Sequence, residues 1–127
     1  MSKSGEASRV SADSLDSLPF ERYELPAESV IEGDPQVDVA PIWQSADDRI
    51  IVSTARFSSG TLDYAQTADE LIYVVAGRML VDDGSGKWVE CSAGSLVRLS
   101  AGTTFRKQIS DNYEEISIMY SDSPVVM

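Results

Sequence analysis

The carboxylate of Glu70 lies at the start of an apolar segment of the sequence. Glu70 begins the stretch Glu70–Val81, which reads ELIYVVAGRMLV and is strongly apolar. Successive strand residues point to opposite faces of a sheet, so Glu70, Ile72 and Val74 would share one face. Desolvation among apolar side chains disfavours a charged carboxylate, which suits general acid or base catalysis. The alternative is a buried glutamate that tyrosine, glutamine or backbone donors hold in a purely structural role.

Two further polar residues lie just before Glu70, namely Tyr64 and Gln66. They are two residues apart and would share a strand face. A tyrosine hydroxyl and a glutamine amide could orient a carbonyl group or stabilise an enolate-like oxygen. The alternative is that Tyr64 packs at a cavity mouth and Gln66 is exposed in a turn. We take Glu70 and Tyr64 as the candidate catalytic pair and Gln66 as a candidate substrate-binding residue.

Three more residues are candidates for substrate binding. Lys107 shares a strand face with Phe105, so both could face a cavity. A lysine there would favour a ligand with a carboxylate, whereas a lysine at a strand end would be solvated. Arg56 precedes Phe57 near the end of a strand and could bind an anion through two nitrogens. A surface role for Arg56 is the alternative.

Some classes of chemistry are excluded by composition. The 127 residues include no histidine, which rules out a Ser-His-Asp triad, a histidine base and histidine metal ligands. The one cysteine, Cys91, cannot form an internal disulfide. It also lacks the histidine partner that a catalytic cysteine usually needs, so we expect a buried structural thiol.

The charge and the hydropathy pattern restrict the partners. Ten Lys and Arg face 21 Asp and Glu, which gives a net charge of −11. Such a surface repels nucleic acid and anionic membranes, so neither is expected as a partner. The sequence has no apolar run long enough for a membrane helix, and its start lacks the apolar segment of a secretory signal. A cytoplasmic protein that binds a small molecule is therefore expected.

Short strand-like segments separated by turns fill most of the chain. They are predicted at 49–57, 70–81, 87–91, 95–99, 104–109 and 115–120, and the turn 82–86 reads DDGSG. Glu114 and Glu115 are predicted to lie in a solvated loop before the last strand. Residues 1–17, rich in Ser, Asp and Ala, are predicted to be a flexible tail, with an arm on a neighbouring subunit as the alternative. Residues 18–127 would then form one all-β domain, either a sandwich or a barrel.

The order of these segments resembles the cupin superfamily. Its first motif, G-x5-H-x-H-x3-4-E-x6-G, is matched by Glu70 and Gly77 in the frame ELIYVVAG. Its second motif, G-x5-P-x-G-x2-H-x3-N, is matched by Gly94 and Gly102. The resemblance covers about 43–120. Within the superfamily, the chain most resembles small cupins related to ethanolamine-utilisation proteins and ureidoglycine aminohydrolases. This narrower resemblance rests on Trp43, Asp69, Glu70 and the run 73–77.

The resemblance implies a cupin-type double-stranded β-helix, a jelly-roll barrel, to which the N-terminal third would add an arm or edge strands. It also implies a metal site, but the ligand positions differ here. In the best register Tyr64 and Gln66 replace the first two histidines, and Phe105 replaces the third. Only Glu70 remains, so we expect no transition metal and no other cofactor. An oxygen-ligand site of Glu70, Asp63 and Gln66 is the alternative.

Two function classes are consistent with this pattern. The first is a metal-independent enzyme with a buried carboxylate as general acid or base, namely an isomerase, a lyase or dehydratase, or a cyclase acting on a carbonyl-containing metabolite. The second is a non-catalytic module that binds a small ligand or serves as an accessory subunit. A homodimer is expected because so small a barrel leaves open sheet edges, and Leu18, Phe20 and Ile42 could form its apolar interface.

Overall fold

The structure, a computed structural model, describes residues 9–125, and almost all of its regular structure is β-strand. The described part contains two 3₁₀ turns, Leu15–Ser17 and Ala27–Ser29. Its strands are β1 (Glu21–Tyr23), β2 (Val30–Gly33), β3 (Val37–Gln44), β4 (Ile50–Phe57), β5 (Gly60–Ala65), β6 (Asp69–Ala76), β7 (Arg78–Asp82), β8 (Val89–Ser92), β9 (Leu96–Leu99), β10 (Thr104–Ile109) and β11 (Tyr113–Tyr120). No helix within this range is long and apolar enough to cross a membrane.

The strands form two antiparallel sheets that face each other. The six-stranded sheet has the order β9-β6-β11-β4-β3-β1, and the five-stranded sheet has the order β2-β5-β10-β7-β8. The expected all-β, cupin-type fold is confirmed. The barrel, however, is not closed. The molecule is a sandwich in which β9 and β1 are the edges of one sheet and β2 and β8 the edges of the other.

Gly77 explains why the apolar stretch 70–81 is two strands and not one. Its φ of +78° is a conformation that glycine adopts readily and other residues rarely do. A Cβ atom at this position would lie 2.8 Å from the Cα atom of Tyr113. The bend at Gly77 ends β6 in the six-stranded sheet and starts β7 in the five-stranded sheet. The glycine that closes the first motif is therefore needed to pass the chain from one sheet to the other.

The N-terminal third adds strands to both sheets, which is one of the two arrangements expected for it. Strands β1 and β3 extend the six-stranded sheet and β2 extends the five-stranded one, so the sheets begin at Glu21. Part of the predicted tail, residues 1–8, lies outside the described residues. Within the remainder, Asp16 accepts a hydrogen bond from Arg56 at 2.6 Å. The division into a tail and one domain stays a prediction.

The apolar core fills only part of the space between the sheets. Its members come from β6, β9 and β11 of one sheet and from β5, β7, β8 and β10 of the other. Its buried members are Leu62, Ile72, Val74, Met79, Val81, Cys91, Leu99, Phe105, Ile109 and Tyr113. Beside this core, towards β3, β4 and β5, the sheets enclose a cavity.

The outer face of the six-stranded sheet is also apolar. One row across it joins Leu96, Tyr73 and Ile116, and the next joins Leu71, Ile118, Val52 and Trp43. Several of these side chains are open to solvent, with exposed fractions of 62% for Leu96 and 56% for Trp43. Strand β6 therefore carries apolar residues on both faces, which is why 71–76 reads as a nearly continuous apolar run.

Candidate functional site

The cavity between the sheets has a volume of about 380 Å³ and mostly apolar walls. This volume lies within the usual range for small-molecule sites, and it equals the volume that roughly a dozen water molecules occupy in liquid water. The walls include Leu25, Val37, Val39, Ala55, Phe57, Leu62, Ile109 and Met119. Polar side chains enter from both sheets. Glu70, Glu115 and Ser117 come from the six-stranded sheet, and Tyr64 and Lys107 come from the five-stranded sheet.

Both oxygens of Glu70 accept hydrogen bonds from neighbouring side chains. Gln66 Nε2 donates to Glu70 Oε1 at 3.0 Å, and Ser117 Oγ donates to Glu70 Oε2. Gln66 Nε2 also donates to the backbone oxygen of Ala68 at 2.9 Å. Gln66 Oε1 is buried and has no hydrogen-bond partner among the described residues. Glu70 is thus a fixed acceptor at the cavity wall, only 3% exposed.

Glu115 is the second buried carboxylate of the cavity, on the adjacent strand β11. Its Oε1 accepts a hydrogen bond from the Tyr113 hydroxyl at 2.9 Å. Burial raises the pKa of Glu115 to about 7, and Glu70 raises it too, while Lys107 and Tyr113 act in the opposite direction. The carboxyl group of Glu115 therefore titrates near neutral pH. The predicted solvated loop is wrong here, because Glu115 lies in a strand and is 6% exposed.

Lys107 enters the cavity from the central strand of the opposite sheet. It is 7% exposed, and its Nζ lies 4.9 Å from the ring centroid of Tyr64. In the described part of the chain, no hydrogen bond or ion pair reaches this ammonium. Burial raises the pKa of Tyr64 to about 12, with a further contribution from Glu70. The Tyr64 hydroxyl therefore keeps its proton at neutral pH and can act as a donor.

The other sequence candidates lie elsewhere. Gln66 stands behind Glu70 and positions it, and Phe105 is part of the apolar core without lining the cavity. Arg56 lies on the outer face over the Phe20 ring, 4.0 Å from its centroid. Its guanidinium makes ion pairs with Asp16 at 2.6 Å and Glu114 at 3.4 Å. The structure thus brings together Glu70, Tyr64 and Lys107, and adds Glu115 and Ser117, which the sequence reading missed.

The side chains of the cavity do not fit a transition metal. The described residues contain no group of three or more His, Cys, Asp or Glu side chains that could hold an ion. Both Glu70 oxygens already accept hydrogen bonds, and Lys107 adds a positive charge to the cavity. Asp63 of the alternative oxygen-ligand set is taken by Arg106, with N···O distances of 2.8 and 3.1 Å. This donor set is unlike the imidazole and multiple carboxylate ligands that such metals prefer.

Comparison with solved structures identifies the architecture. No protein-family model matches the chain, and no curated protein matches it either. The Clostridium difficile EutQ protein superposes with a TM-score of 0.61 and 21% identity, covering 68% of this chain and 63% of that protein. An ethanolamine utilization protein Q from Salmonella typhimurium gives 0.62 and 12%, covering 82% and 97%. A predicted oxalate decarboxylase from Thermotoga maritima gives 0.64 and 13%, covering 83% and 94%.

These similarities concern the fold, because all three identities are below 25%. The neighbours are of cupin type, as the Glu-x6-Gly and Gly-x7-Gly frames indicated. This chain spans less than two thirds of the length of the EutQ protein from Clostridium difficile. The sequence frames, the two-sheet sandwich and the structural neighbours lead to one conclusion: this chain has the cupin fold.

Proposed function

We propose that this chain is an enzyme that transfers protons on a small carbonyl-containing metabolite without a transition metal. The cupin neighbours support a small-molecule enzyme or binding module. The observation that carries the finer proposal is the cavity itself. It joins the carboxylate of Glu70 and the phenol of Tyr64 in one apolar-walled space of about 380 Å³.

The two residues have complementary roles in this proposal. Glu70 is the general base that removes a proton from the carbon beside the carbonyl group, and Gln66 and Ser117 hold its carboxylate in place. Tyr64, still protonated at neutral pH, donates a hydrogen bond to the carbonyl oxygen as that oxygen gains negative charge. Isomerisation, elimination of water and cyclisation all can begin with this proton removal.

Glu115 supplies a second proton-transfer group. Its pKa of about 7 lets it hold or release a proton at neutral pH. Two carboxylates in one site with different surroundings are a common way to separate the acid and the base of a reaction. In this scheme Glu70 takes the proton and Glu115 returns one to a different atom of the substrate, which completes an isomerisation or assists departure of water.

The second candidate is a non-catalytic binding module. One observation favours it, because both oxygens of Glu70 already have donors from the protein. A carboxylate satisfied in this way can be a structural acceptor that shapes the cavity. In that case the ligand would be held without turnover.

The experiment that separates the two follows C–H exchange in D₂O by proton NMR. The wild-type chain is incubated with a panel of aldehydes, ketones and keto acids, and loss of the signal beside the carbonyl is timed. We expect Glu70→Gln to slow exchange by about 10²- to 10⁴-fold, the range typical of general acid–base catalysis. Glu90→Gln, which changes an exposed carboxylate on β8, serves as the matched control and should exchange at the wild-type rate.

The contradicting outcomes are distinct. Wild-type exchange that Glu70→Gln leaves unchanged would remove Glu70 as the base. Absence of exchange across the panel would favour the binding module. Loss of exchange after treatment with a chelator, with recovery on addition of a divalent metal, would overturn metal independence.

A further inference from the structure

We propose that the cavity takes a ligand with a single carboxylate, which pairs with Lys107, and that Glu115 takes up a proton when this ligand binds. The inference deepens the proposed function, since it rests on the same cavity being the ligand site. It concerns the class of ligand and its coupling to protons, and it is tested by binding alone.

The first argument is the state of Lys107. A buried ammonium is costly unless it is paired or hydrogen-bonded. Among the described residues, the ring of Tyr64, 4.9 Å away, is the direct contact of the Lys107 ammonium, and Glu115 acts on it through charge beyond ion-pair distance. The ammonium faces the cavity, so a ligand can reach it. A carboxylate supplies both the opposite charge and the hydrogen-bond acceptors that Lys107 lacks.

The second argument is that three acidic residues of the cavity lining, Glu70, Glu115 and Asp63, have other partners. Glu70 accepts from Gln66 and Ser117, and Glu115 accepts from Tyr113. Asp63, at the cavity lining, is held by Arg106. None of these carboxylates makes an ion pair with Lys107 in the described structure, so its charge is available to a ligand.

The third argument concerns how much negative charge the ligand carries. The chain has a net charge of −11, and Glu28 and Asp63 also line the cavity. These charges oppose entry of a phosphate or a multiply charged acid. The remaining walls are apolar, which favours a hydrocarbon or carbonyl-bearing body. A monocarboxylate of small size fits both conditions.

The fourth argument is the coupling to Glu115. Lys107 from β10, Glu70 from β6 and Tyr64 from β5 line the same cavity as Glu115 and interact with its charge. Tyr113, on its own strand, donates a hydrogen bond to it. A ligand carboxylate bound to Lys107 adds a negative charge near Glu115. It also reduces the electrostatic stabilisation that the Lys107 ammonium gives to the ionised Glu115 carboxylate. The pKa of Glu115, already about 7, therefore rises further on binding. Near neutral pH the site takes up a proton with the ligand, and affinity falls as the pH increases above 7.

The test uses three probes of one shape and different charge, namely 3-phenylpropionate, its neutral amide and 3-phenylpropylamine. Titration calorimetry at pH 6.5 and 8.5, in buffers of different ionisation enthalpy, gives the affinity and the number of protons taken up. We expect the carboxylate to bind at least about tenfold more tightly than the amide at pH 6.5, as a charge-assisted contact implies. The amine should bind most weakly. The carboxylate should bind more weakly at pH 8.5.

Variants assign these effects to residues. Lys107→Met should remove the preference for the carboxylate over the amide, while Lys107→Arg should retain it. Lys87→Met, an exposed lysine in the β7–β8 hairpin, is the matched control and should bind as the wild type does. Glu115→Gln should keep the carboxylate preference and lose both the pH dependence and the proton uptake.

Several results would overturn the proposal. These are equal binding of amide and carboxylate, no carboxylate binding at 10 mM probe, or an unchanged preference in Lys107→Met. If Lys107→Met does not fold by circular dichroism, Lys107→Gln replaces it and is judged by the same criterion. A wild-type carboxylate preference without C–H exchange would retain this inference and reject catalysis. C–H exchange without a preference for the carboxylate would retain the proposed catalysis and reject this inference.

Discussion

The two buried carboxylates of the cavity differ in the donors around them. Glu70 has two donors, one from the loop before β6 and one from β11, so both of its oxygens are held. Glu115 has one donor, from Tyr113 on its own strand, and Lys107 influences it from the opposite sheet. The same residue type on adjacent strands is thus held through both oxygens in one case and through one oxygen in the other. Burial is nearly equal for the two, so the difference in hydrogen bonding comes from which donors the neighbouring positions supply.

The largest effect on stability is expected from Glu115→Gln. Because burial raises the pKa of Glu115 from 4.5 to about 7, the folded chain binds this proton more tightly than the unfolded chain. The resulting stabilisation is complete below pH 4.5 and is lost as the pH rises to 7. Glutamine has no such loss, so the variant should gain relative to wild type across this window, by on the order of 3 kcal/mol. Urea unfolding at several pH values between 4 and 8 measures the difference.

The control for this comparison is Glu90→Gln, which removes an exposed carboxylate. Its stability relative to wild type should change little between pH 4.5 and 7. A Glu115→Gln curve parallel to the wild-type curve would show that Glu115 does not titrate differently in the folded chain.

A smaller effect is expected from Ser117→Ala, which removes one of the two donors of Glu70. A buried carboxylate left short of a donor costs about 2 kcal/mol of unfolding free energy. Ser53→Ala is the matched control, because Ser53 pairs with Ser117 across β4 and β11 and is buried, yet its hydroxyl does not contact Glu70. Equal loss in the two variants, measured by urea unfolding at pH 7.5, would contradict the role of Ser117.

The smallest effect is expected from Tyr113→Phe. The variant keeps the ring, which packs edge-on against Phe57 at a centroid distance of 5.5 Å, and loses the hydroxyl that donates to Glu115. That donor lowers the pKa of Glu115, so its removal should raise this pKa and cost about 1 kcal/mol above pH 7. An NMR titration of the Glu115 carboxyl carbon checks the direction, and a lower pKa would contradict it.

The sequence predicted Glu70, Tyr64 and Lys107 because alternation along a strand is a local property. For Glu115 the sequence indicated a solvated loop, and it gave no sign of Ser117. Alternation along β11 would not have found them, because an inward orientation of Ile116 and Ile118 turns Glu115 and Ser117 outward. In the structure the isoleucines belong to the outer apolar rows and the polar side chains line the cavity.

The sequence also could not predict whether an inward-facing side chain lies in the apolar core or lines the cavity. Phe105 has the inward orientation that its alternation with Lys107 predicts, but it packs in the core while Lys107 lines the cavity. Which residues meet a cavity depends on how the two sheets stack, which is set by distant parts of the chain. The N-terminal third was predicted only as an arm or edge strands for a related reason. Its strands owe their conformation to pairing: β1 with β3, β2 with β5 and β3 with β4.

The outer apolar rows have a spectroscopic consequence. Both tryptophans of the chain lie away from the cavity lining, and Trp43 is 56% exposed while Trp88 is 40% exposed. Tryptophan emission therefore responds to events outside the cavity, and replacing Trp88 by phenylalanine leaves Trp43 as the sole emitter on the six-stranded sheet. A blue shift of that emission with rising protein concentration would then register a second copy covering this face. Ligand entry between the sheets would leave the emission wavelength unchanged, which separates self-association from binding in one sample.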